Sequence, residues 1–388
     1  MIYLDNAATT PVTDYVKKFV GNKIERFGNP SSIYTLGVDT KSDMCFIRNY
    51  FIDQLNGHPY DKIIFTSGGT EADNMIIRGI ASRYRHKGNH IITSKIEHPA
   101  VLNTCKSLEK QGYRVTYLDV DSEGFIDLKQ LREAICKDTI LITIMYANNE
   151  IGTIQPVYEI GQIAKEFNIP FHTDAVQAFG YLDIDVKKCN IAAMSTSGHK
   201  IHGFKGIGFL YLRRDIECEP LIYGGGQQEG YRSGTENMCG IYSMYAAHRE
   251  LVKNDTIRQS IRENRDYMLD ELKKNIEFKL NGTSDMNRRL PGNINISIKE
   301  IYGEVFLALL ETEEIYISTG SACSSSSDTP SHVLLSIGCT EEETAHSIRI
   351  TLGTQTTKQD IDRAVSVITR FVNIIKGNDD DCRDKIQE

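Results

Sequence analysis

The chain has 388 residues, of which 40% are hydrophobic and 25% are charged. This composition is typical of a folded globular protein and excludes a disordered one, and the length favours a large domain plus a smaller one. The formal net charge of −8, without any cluster of Lys and Arg, argues against nucleic acid as a direct partner.

The sequence contains neither a membrane-span pattern nor a secretory signal. Its longest apolar run, Ile140 to Ala147, is much shorter than the roughly 20 residues that a membrane helix needs. The N-terminus, MIYLDNAATT, does not combine a basic segment with an apolar one. We therefore expect no membrane association and a cytoplasmic location.

The nine cysteines include no CxxC pair and no zinc-ligand spacing. This pattern argues against a disulfide framework and against a zinc site. Most of the cysteines, such as Cys45 and Cys105 in helical patterns, are interpreted as small buried hydrophobic residues. Cys323 is different, because the segment STGSACSSSSDTPSHV surrounds it with small polar residues and offers nothing apolar to bury it.

From about residue 60, short β-branched runs alternate with amphipathic helical segments. The predicted strands are DKIIFT, NHIITS, RVTYLD, TILITIMY, PFHTD and AAMSTS, and the helices between them include EADNMIIRGIASRYR, AVLNTCKSLEKQG and VYEIGQIAKEFN. Such alternation predicts an α/β fold with a mostly parallel sheet flanked by helices. Ligands of such sheets bind at the carboxyl ends of the strands.

From about residue 250 the pattern changes to a long charged helix followed by mixed strands and helices. This change predicts a smaller α+β C-terminal domain. We assign residues 15–249 to the large domain, and residues 1–14 and 250–388 to the small one, which carries the Cys323 loop.

Between the first predicted strand and helix lies TSGGTEADN. Gly68 and Gly69 allow a sharp turn, and the amides of the next helix, with the Thr70 hydroxyl, could bind a phosphate. The alternative is an ordinary glycine turn, since the motif is neither a Walker loop nor a GxGxxG fingerprint.

Two further motifs each allow two interpretations. Asp174, in HTDAVQ, ends a strand and is either a helix cap or the partner of a cationic ring nitrogen. Lys200, in SGHKIHG, is either a solvated surface residue or, if buried, a Schiff-base nucleophile. The spacing of His199 and His202, without a nearby third ligand, argues against a metal site.

Together the three motifs offer a phosphate site, a carboxylate for a pyridinium nitrogen and a lysine for an aldehyde. These are the groups that recognise pyridoxal phosphate. The conjunction is much more specific than any single motif.

With these motifs the chain resembles the cysteine desulfurases of the NifS/IscS type, in the class V aminotransferase-like family. The resemblance runs through YLDNAATTP, GNPSS, TSGGTEADN, EHPAVL, NNEIGTIQP, HTDAVQ, SGHKIHG, GGGQQEGYRSGTEN, STGSACSSSS and SIRITLG. It covers nearly the whole chain and implies pyridoxal 5'-phosphate as cofactor on a type I fold.

The resemblance also implies a set of cofactor-binding residues: Gly69, Thr70, His98, Asn149, Asp174, Gln177, Ser197, His199, Lys200 and Thr235. Lys200 would hold the cofactor covalently, and Asp174 would pair with its ring nitrogen. Gln177 would contact the phenolic oxygen, and His98 would stack on the ring and transfer protons. Ser197 and His199 would join Gly69 and Thr70 at the phosphate.

The implied reaction takes sulfur from L-cysteine, leaves L-alanine and forms a persulfide on Cys323, which is passed to a sulfur-acceptor protein for iron–sulfur cluster assembly or thiolation. The catalytic residues would be Cys323, Lys200 and His98, whereas Asn149 and Arg349 would bind the substrate. Thr235 would reach the phosphate of the other subunit, so a homodimer is expected.

Two positions depart from the family pattern. Tyr34 follows Ile33 where a histidine is common, and Phe204 replaces a proline that would stiffen the loop after Lys200. Neither change removes a catalytic group. The alternatives are a selenocysteine lyase or another class V enzyme, and a non-catalytic sulfur-relay protein, although the presence of Lys200, Asp174 and His98 argues against the last.

Overall fold

The computed structural model describes residues 1–253, 255–319 and 330–377. The strands in these residues are β1 (Ile2–Tyr3), β2 (Lys62–Thr66), β3 (His90–Ser94), β4 (Arg114–Leu118), β5 (Thr139–Thr143), β6 (Phe171–Asp174), β7 (Ala193–Ser197), β8 (Gly208–Leu212), β9 (Lys279–Leu280), β10 (Asn293–Ser297), β11 (Ile315–Tyr316) and β12 (Ser347–Thr351).

The helices in the same ranges are α1 (Asp14–Gly21), α2 (Thr35–Gln54), α3 (Gly69–Arg83), α4 (Pro99–Glu109), α5 (Leu128–Ala134), α6 (Val157–Glu166), α7 (Met238–Lys253), α8 (Asp255–Asn275), α9 (Gly303–Thr312), α10 (His332–Ser336), α11 (Glu341–Ala345) and α12 (Lys358–Ile375). A short 3₁₀ helix covers Gly198–Lys200.

Seven strands form one large sheet in the order β2-β8-β7-β6-β5-β3-β4. The pairs from β7 through β4 are parallel, and only β8 runs against its neighbours. All residues of β3, β5 and β7 are buried, as expected when helices cover both faces of a sheet. The predicted α/β fold with a mostly parallel sheet is therefore confirmed.

The sheet brings the ends of three strands, β2, β6 and β7, to one edge. Asp174, the last residue of β6, pairs with Ser195 of β7. Ser197 at the end of β7 and Thr66 at the end of β2 both pair with Gly208 of β8. Because these strands end at the same edge, the loops that follow them meet there.

A second group of elements lies around a sheet of order β12-β10-β9. Its hydrophobic core combines Ile2 and Leu4 with residues between 268 and 372, including the inward faces of α8, α9 and α12. β1 pairs in parallel with β11, which brings the N-terminal segment onto this part of the chain. These contacts fit the predicted packing of the N-terminus, whereas the domain boundaries remain a prediction.

The described cysteines are all free thiols. Cys105 is buried, as predicted, but the prediction for Cys45 is wrong, because this residue is exposed on α2. The buried face of α2 carries Thr40, Met44 and Ile47, so Cys45 points away from it at helical periodicity. None of the helices in the described part of the chain combines the length and apolar character that a bilayer crossing requires.

Candidate active site

Lys200 lies in the 3₁₀ turn directly after β7, at the sheet edge where the strand ends meet. Its Nζ donates hydrogen bonds to the carbonyl oxygens of Ala7 (2.5 Å) and Ala8 (2.7 Å). The Ala7 carbonyl also accepts from Nε2 of Gln177 at 3.0 Å. Lys200 and Gln177 are thus brought together, and the N-terminal segment lies over both.

Asp174 is 6% exposed at the end of β6 and accepts a hydrogen bond from the Val176 amide at 2.9 Å. Burial raises the pKa of this carboxyl group, while His98, the Val176 amide and Lys200 act in the opposite direction. The three titratable side chains therefore interact with one another. Among them Asp174 is the acid that a neighbouring cation would keep ionised.

His98 occupies the N-cap position of α4, and Pro99 follows at the first helical position, where a missing N–H costs nothing. Nδ1 of His98 accepts a hydrogen bond from the Ala100 amide at 3.1 Å. The proton of the neutral ring therefore resides on Nε2. Burial lowers the pKa of His98, Asp174 raises it, and Lys200 lowers it again.

The turn before α3 has a backbone conformation that favours glycine. Gly68 has φ 157° and ψ −175°, a region that side-chain-bearing residues rarely adopt. A Cβ atom on Gly69 would lie 2.5 Å from Cγ2 of Val176, and one on Gly68 would lie 3.8 Å from Oγ of Ser197. The first amides of the 15-residue helix α3 thus lie beside Ser197, with Thr70 exposed, in an arrangement suited to an anion.

His199 contacts the N-terminal segment rather than the glycine turn. Its Nδ1 is 3.2 Å from Oγ1 of Thr9, and its carbonyl oxygen accepts from both the amide and the hydroxyl of Thr10. Burial, with Lys200 and Lys205 nearby, lowers the pKa of His199 to about 4. The imidazole is therefore neutral at pH 7, and its contact with a phosphate remains a prediction.

Arg349 lies in the middle of β12 and is nearly completely buried. Its guanidinium donates to the Asp5 carboxylate at 2.8 Å and to the carbonyl oxygen of Asn149 at 3.1 Å. Asn149 in turn lines one cavity together with Ala7 and Gln177. The two residues predicted to bind the substrate are thus adjacent to the segment that covers Lys200.

Thr235 is the residue predicted to act at the site of another subunit. Thr235 is exposed in the segment before α7, where Arg232 forms an ion pair with Glu71 of α3 at 2.8 Å. The contact of Thr235 with the phosphate of another subunit remains a prediction. Cys323 lies outside the described residues.

Several groups at the site had no role in the sequence interpretation. Asp5, Ala7 and Ala8 belong to YLDNAATT, where the only sequence signal was a carboxylate directly after an apolar strand. Glu150 accepts a hydrogen bond from the Ser331 hydroxyl at 2.5 Å. Burial raises the pKa of Glu150 to about 7, although Ser331 and Arg349 oppose the shift.

The residues present fit pyridoxal phosphate. A buried carboxylate, a lysine amine and a helix N-terminus opened by glycines are the groups that bind its ring nitrogen, aldehyde and phosphate. Asp174, Lys200 and the turn at Gly68 and Gly69 all lie at one sheet edge.

Comparisons with known proteins agree with this fold. Residues 2–364 match the model of the aminotransferase class-V family. A cysteine desulfurase IscS of Methanosarcina thermophila is 48% identical over 377 residues, which are 97% of this chain and 93% of that protein.

Solved structures also resemble this chain. A NifS-like protein has a TM-score of 0.89 and 33% identity, covering 96% of this chain and 99% of that one. A structure of SspA in complex with cysteine has a TM-score of 0.81 and 37% identity, over 92% of this chain and 100% of the other. The chain belongs to the class V aminotransferase family. Within that family it is a member of the cysteine desulfurases. Membership in this group implies a pyridoxal phosphate cofactor.

Proposed function

We propose that this protein is a pyridoxal-phosphate-dependent cysteine desulfurase, which converts L-cysteine to L-alanine and holds the sulfur as a persulfide on Cys323. The observation that carries the proposal is the group formed by Lys200, Asp174 and His98 at the carboxyl ends of the strands. Three groups with perturbed or interacting charges at one sheet edge are typical of an active site.

The chain offers a partner for each polar part of the cofactor. Lys200 would bind its aldehyde, Asp174 its ring nitrogen and Gln177 its phenolic oxygen, while the α3 amides with Ser197 would bind its phosphate. When bound, pyridoxal phosphate supplies an electron sink for negative charge on the substrate Cα.

The side chains divide the proton transfers between them. The amine of Lys200, oriented by the Ala7 and Ala8 carbonyls, is positioned to remove the Cα proton of the substrate. His98 carries its proton on Nε2 and interacts with the charges of Asp174 and Lys200. Arg349 and Asn149 bind the carboxylate of L-cysteine.

The thiol of Cys323 would accept the sulfur. Its thiolate forms an S–S bond with the substrate sulfur as the substrate Cβ–S bond breaks, and the electron pair left on carbon takes up a proton to give L-alanine. The residues flanking its segment support this role. Ser318 exchanges two backbone hydrogen bonds with Arg349, and Ser331 binds Glu150. His332 lies 3.0 Å from the Glu97 carbonyl oxygen, beside His98.

We further propose a cytoplasmic homodimer that passes the persulfide sulfur to an acceptor protein. The described cysteines are free thiols, as expected in a reducing compartment. Exposed apolar side chains between residues 24 and 46 support a second copy of the chain as partner, and they include Phe27 (80% exposed) and Ile33 (96% exposed).

The test compares the purified wild-type protein with Lys200→Ala and Cys323→Ala, and uses Cys136→Ala, at another exposed cysteine, as matched control. L-Cysteine with a reductant should yield L-alanine and sulfide from wild type and Cys136→Ala only. Borohydride should fix the cofactor on Lys200, and without reductant the persulfide should map to the peptide Ser318 to Val333. Alanine release by Cys323→Ala at the wild-type rate, or cofactor fixed on another residue, would refute the proposal.

A further inference from the structure

The guanidinium of Arg349 carries a charge in a place where water cannot solvate it. Its side chain is 3% exposed and that of Asp5 is 16% exposed, and the two form an ion pair at 2.8 Å. A buried cation requires an anion or several acceptors to offset the loss of hydration. Within the described residues, Asp5 is the carboxylate in contact with Arg349.

The donors of Arg349 are unevenly used. Nη2 donates to Asp5 and Nη1 to the Asn149 carbonyl, whereas the buried Nε has no acceptor among the described residues. Arginine binds a ligand carboxylate through two parallel N–H groups, and its guanidinium has five N–H groups in all. Asp5 and Asn149 thus hold the two terminal nitrogens by one hydrogen bond each and leave Nε and the second N–H of each terminal nitrogen for a ligand.

Asp5 itself is fixed by its own backbone. Its carbonyl oxygen accepts from the Tyr3 hydroxyl at 2.9 Å and from the Ala8 amide at 3.0 Å. The turn so formed carries the Ala7 and Ala8 carbonyls that bind Lys200. One short segment therefore contacts both the amine and the guanidinium.

We propose that Asp5 is a positioning residue for substrate recognition: its carboxylate orients Arg349 so that the guanidinium binds the carboxylate of L-cysteine at a fixed distance from Lys200. This inference rests on the proposed desulfurase function. It assigns to Asp5 a role in binding the amino-acid carboxylate, not in the chemistry at sulfur.

The test is Asp5→Asn, which keeps the shape and removes the charge, measured beside Tyr3→Phe as a control on the same segment. Tyr3→Phe removes the hydrogen bond to the Asp5 backbone and leaves the ion pair intact. In Asp5→Asn the KM for L-cysteine should rise about tenfold while kcat stays within about threefold. The variant loses a hydrogen bond between charged groups that supports substrate binding, and the groups that act on the bound substrate are unchanged. Affinity for L-alanine, followed by cofactor absorbance, should fall by the same factor.

A conservative variant tests the charge directly. Asp5→Glu should keep a KM closer to wild type than Asp5→Asn does, since it restores an anion beside Arg349; equal KM values for the two variants would overturn the inference. A lower KM in Asp5→Asn would also overturn it, because Asp5 would then compete with the substrate for Arg349. If the wild-type protein bound cofactor but released no alanine, the proposed function would fail, while the L-alanine affinities would still decide the role of Asp5.

Discussion

Glu97 is a buried acid that the chemistry at Lys200 does not use. Its Oε1 accepts hydrogen bonds from the Ser94 hydroxyl (2.6 Å) and the Met145 amide (2.9 Å), while Oε2 has no partner among the described residues. Burial raises the pKa of Glu97 to about 8; the two hydrogen bonds oppose this shift and Asp174 adds to it. A carboxyl group without a cation in a dry environment holds its proton.

The pH dependence of stability follows from this raised pKa. Between the ordinary glutamate pKa near 4.5 and about 8, the folded protein binds a proton that the unfolded chain has lost. The contribution of Glu97 to the free energy of unfolding is therefore fully present below this pH window, and it is lost as the pH rises through the window. Glu97→Gln, which is neutral at every pH, should remove this dependence.

We accordingly expect Glu97→Gln to raise the free energy of unfolding at pH 8 by about 1–3 kcal/mol and to change it little at pH 5. Denaturant melts of both proteins at the two pH values measure the difference. Glu109→Gln serves as control, because Glu109 is an exposed glutamate on α4. A Glu97→Gln protein that is equally destabilised at both pH values would show that the native group is ionised.

Individual residues also show what the sequence could predict about the site. Lys200 and Asp174 were identifiable because each stands at or just after the end of a predicted strand in a motif of small or polar residues, whereas His98 was assigned through the family resemblance. The contact of Asp5 with Arg349 joins positions 344 residues apart, so no local pattern could reveal it. The exposure of Cys45 was missed for another reason, since a cysteine fits either face of an amphipathic helix.

At the scale of elements, apolar runs bounded by turn residues predicted β3, β5 and β7 well. The antiparallel direction of β8 did not follow from the alternation, because β8 returns from β7 through a short loop instead of a crossover helix. That loop carries Lys200 and His202, the latter at φ 70°. The hairpin between β7 and β8 therefore holds the lysine at the sheet edge.

The start of α3 is the element whose geometry bears most directly on the cofactor phosphate. A Cβ at Gly69 would lie 2.5 Å from Cγ2 of Val176, a β-branched side chain with little freedom to move. Gly69→Ala should therefore displace the first amides of the helix and weaken pyridoxal phosphate binding about tenfold. Equilibrium dialysis of the protein with the cofactor measures the change.

A matched control is Gly21→Ala at the end of α1, where an added Cβ would meet no atom within 4 Å. This variant should bind the cofactor as wild type does. If Gly69→Ala and Gly21→Ala bound the cofactor equally well, the anion-binding role of the turn before α3 would be wrong.

At the scale of the whole molecule, the segment from residue 24 to residue 46 stands out for its exposed apolar side chains. Exposed large hydrophobic side chains follow one another between residues 24 and 46, namely Ile24, Phe27, Ile33, Tyr34, Leu36, Val38 and Phe46. Cys45 is exposed on the same helix. Exposed apolar side chains in such number are typical of an interface, and the proposed homodimer would bury this apolar segment.

Charged side chains introduced in this apolar segment should prevent dimer formation without unfolding the protein. We expect wild-type protein to sediment at about twice 43.7 kDa and the double variant Phe27→Glu with Ile33→Glu to sediment as a monomer, because two buried carboxylates would lack partners at the interface. Val305→Glu, at an exposed position on α9, is the control and should remain a dimer.

If Thr235 completes the phosphate site of its partner, the monomer should also bind pyridoxal phosphate more weakly, and Thr235→Ala should show the same loss while staying dimeric. A monomeric variant with wild-type affinity and activity would contradict a shared site, and a Phe27 and Ile33 variant that stays dimeric would place the interface elsewhere.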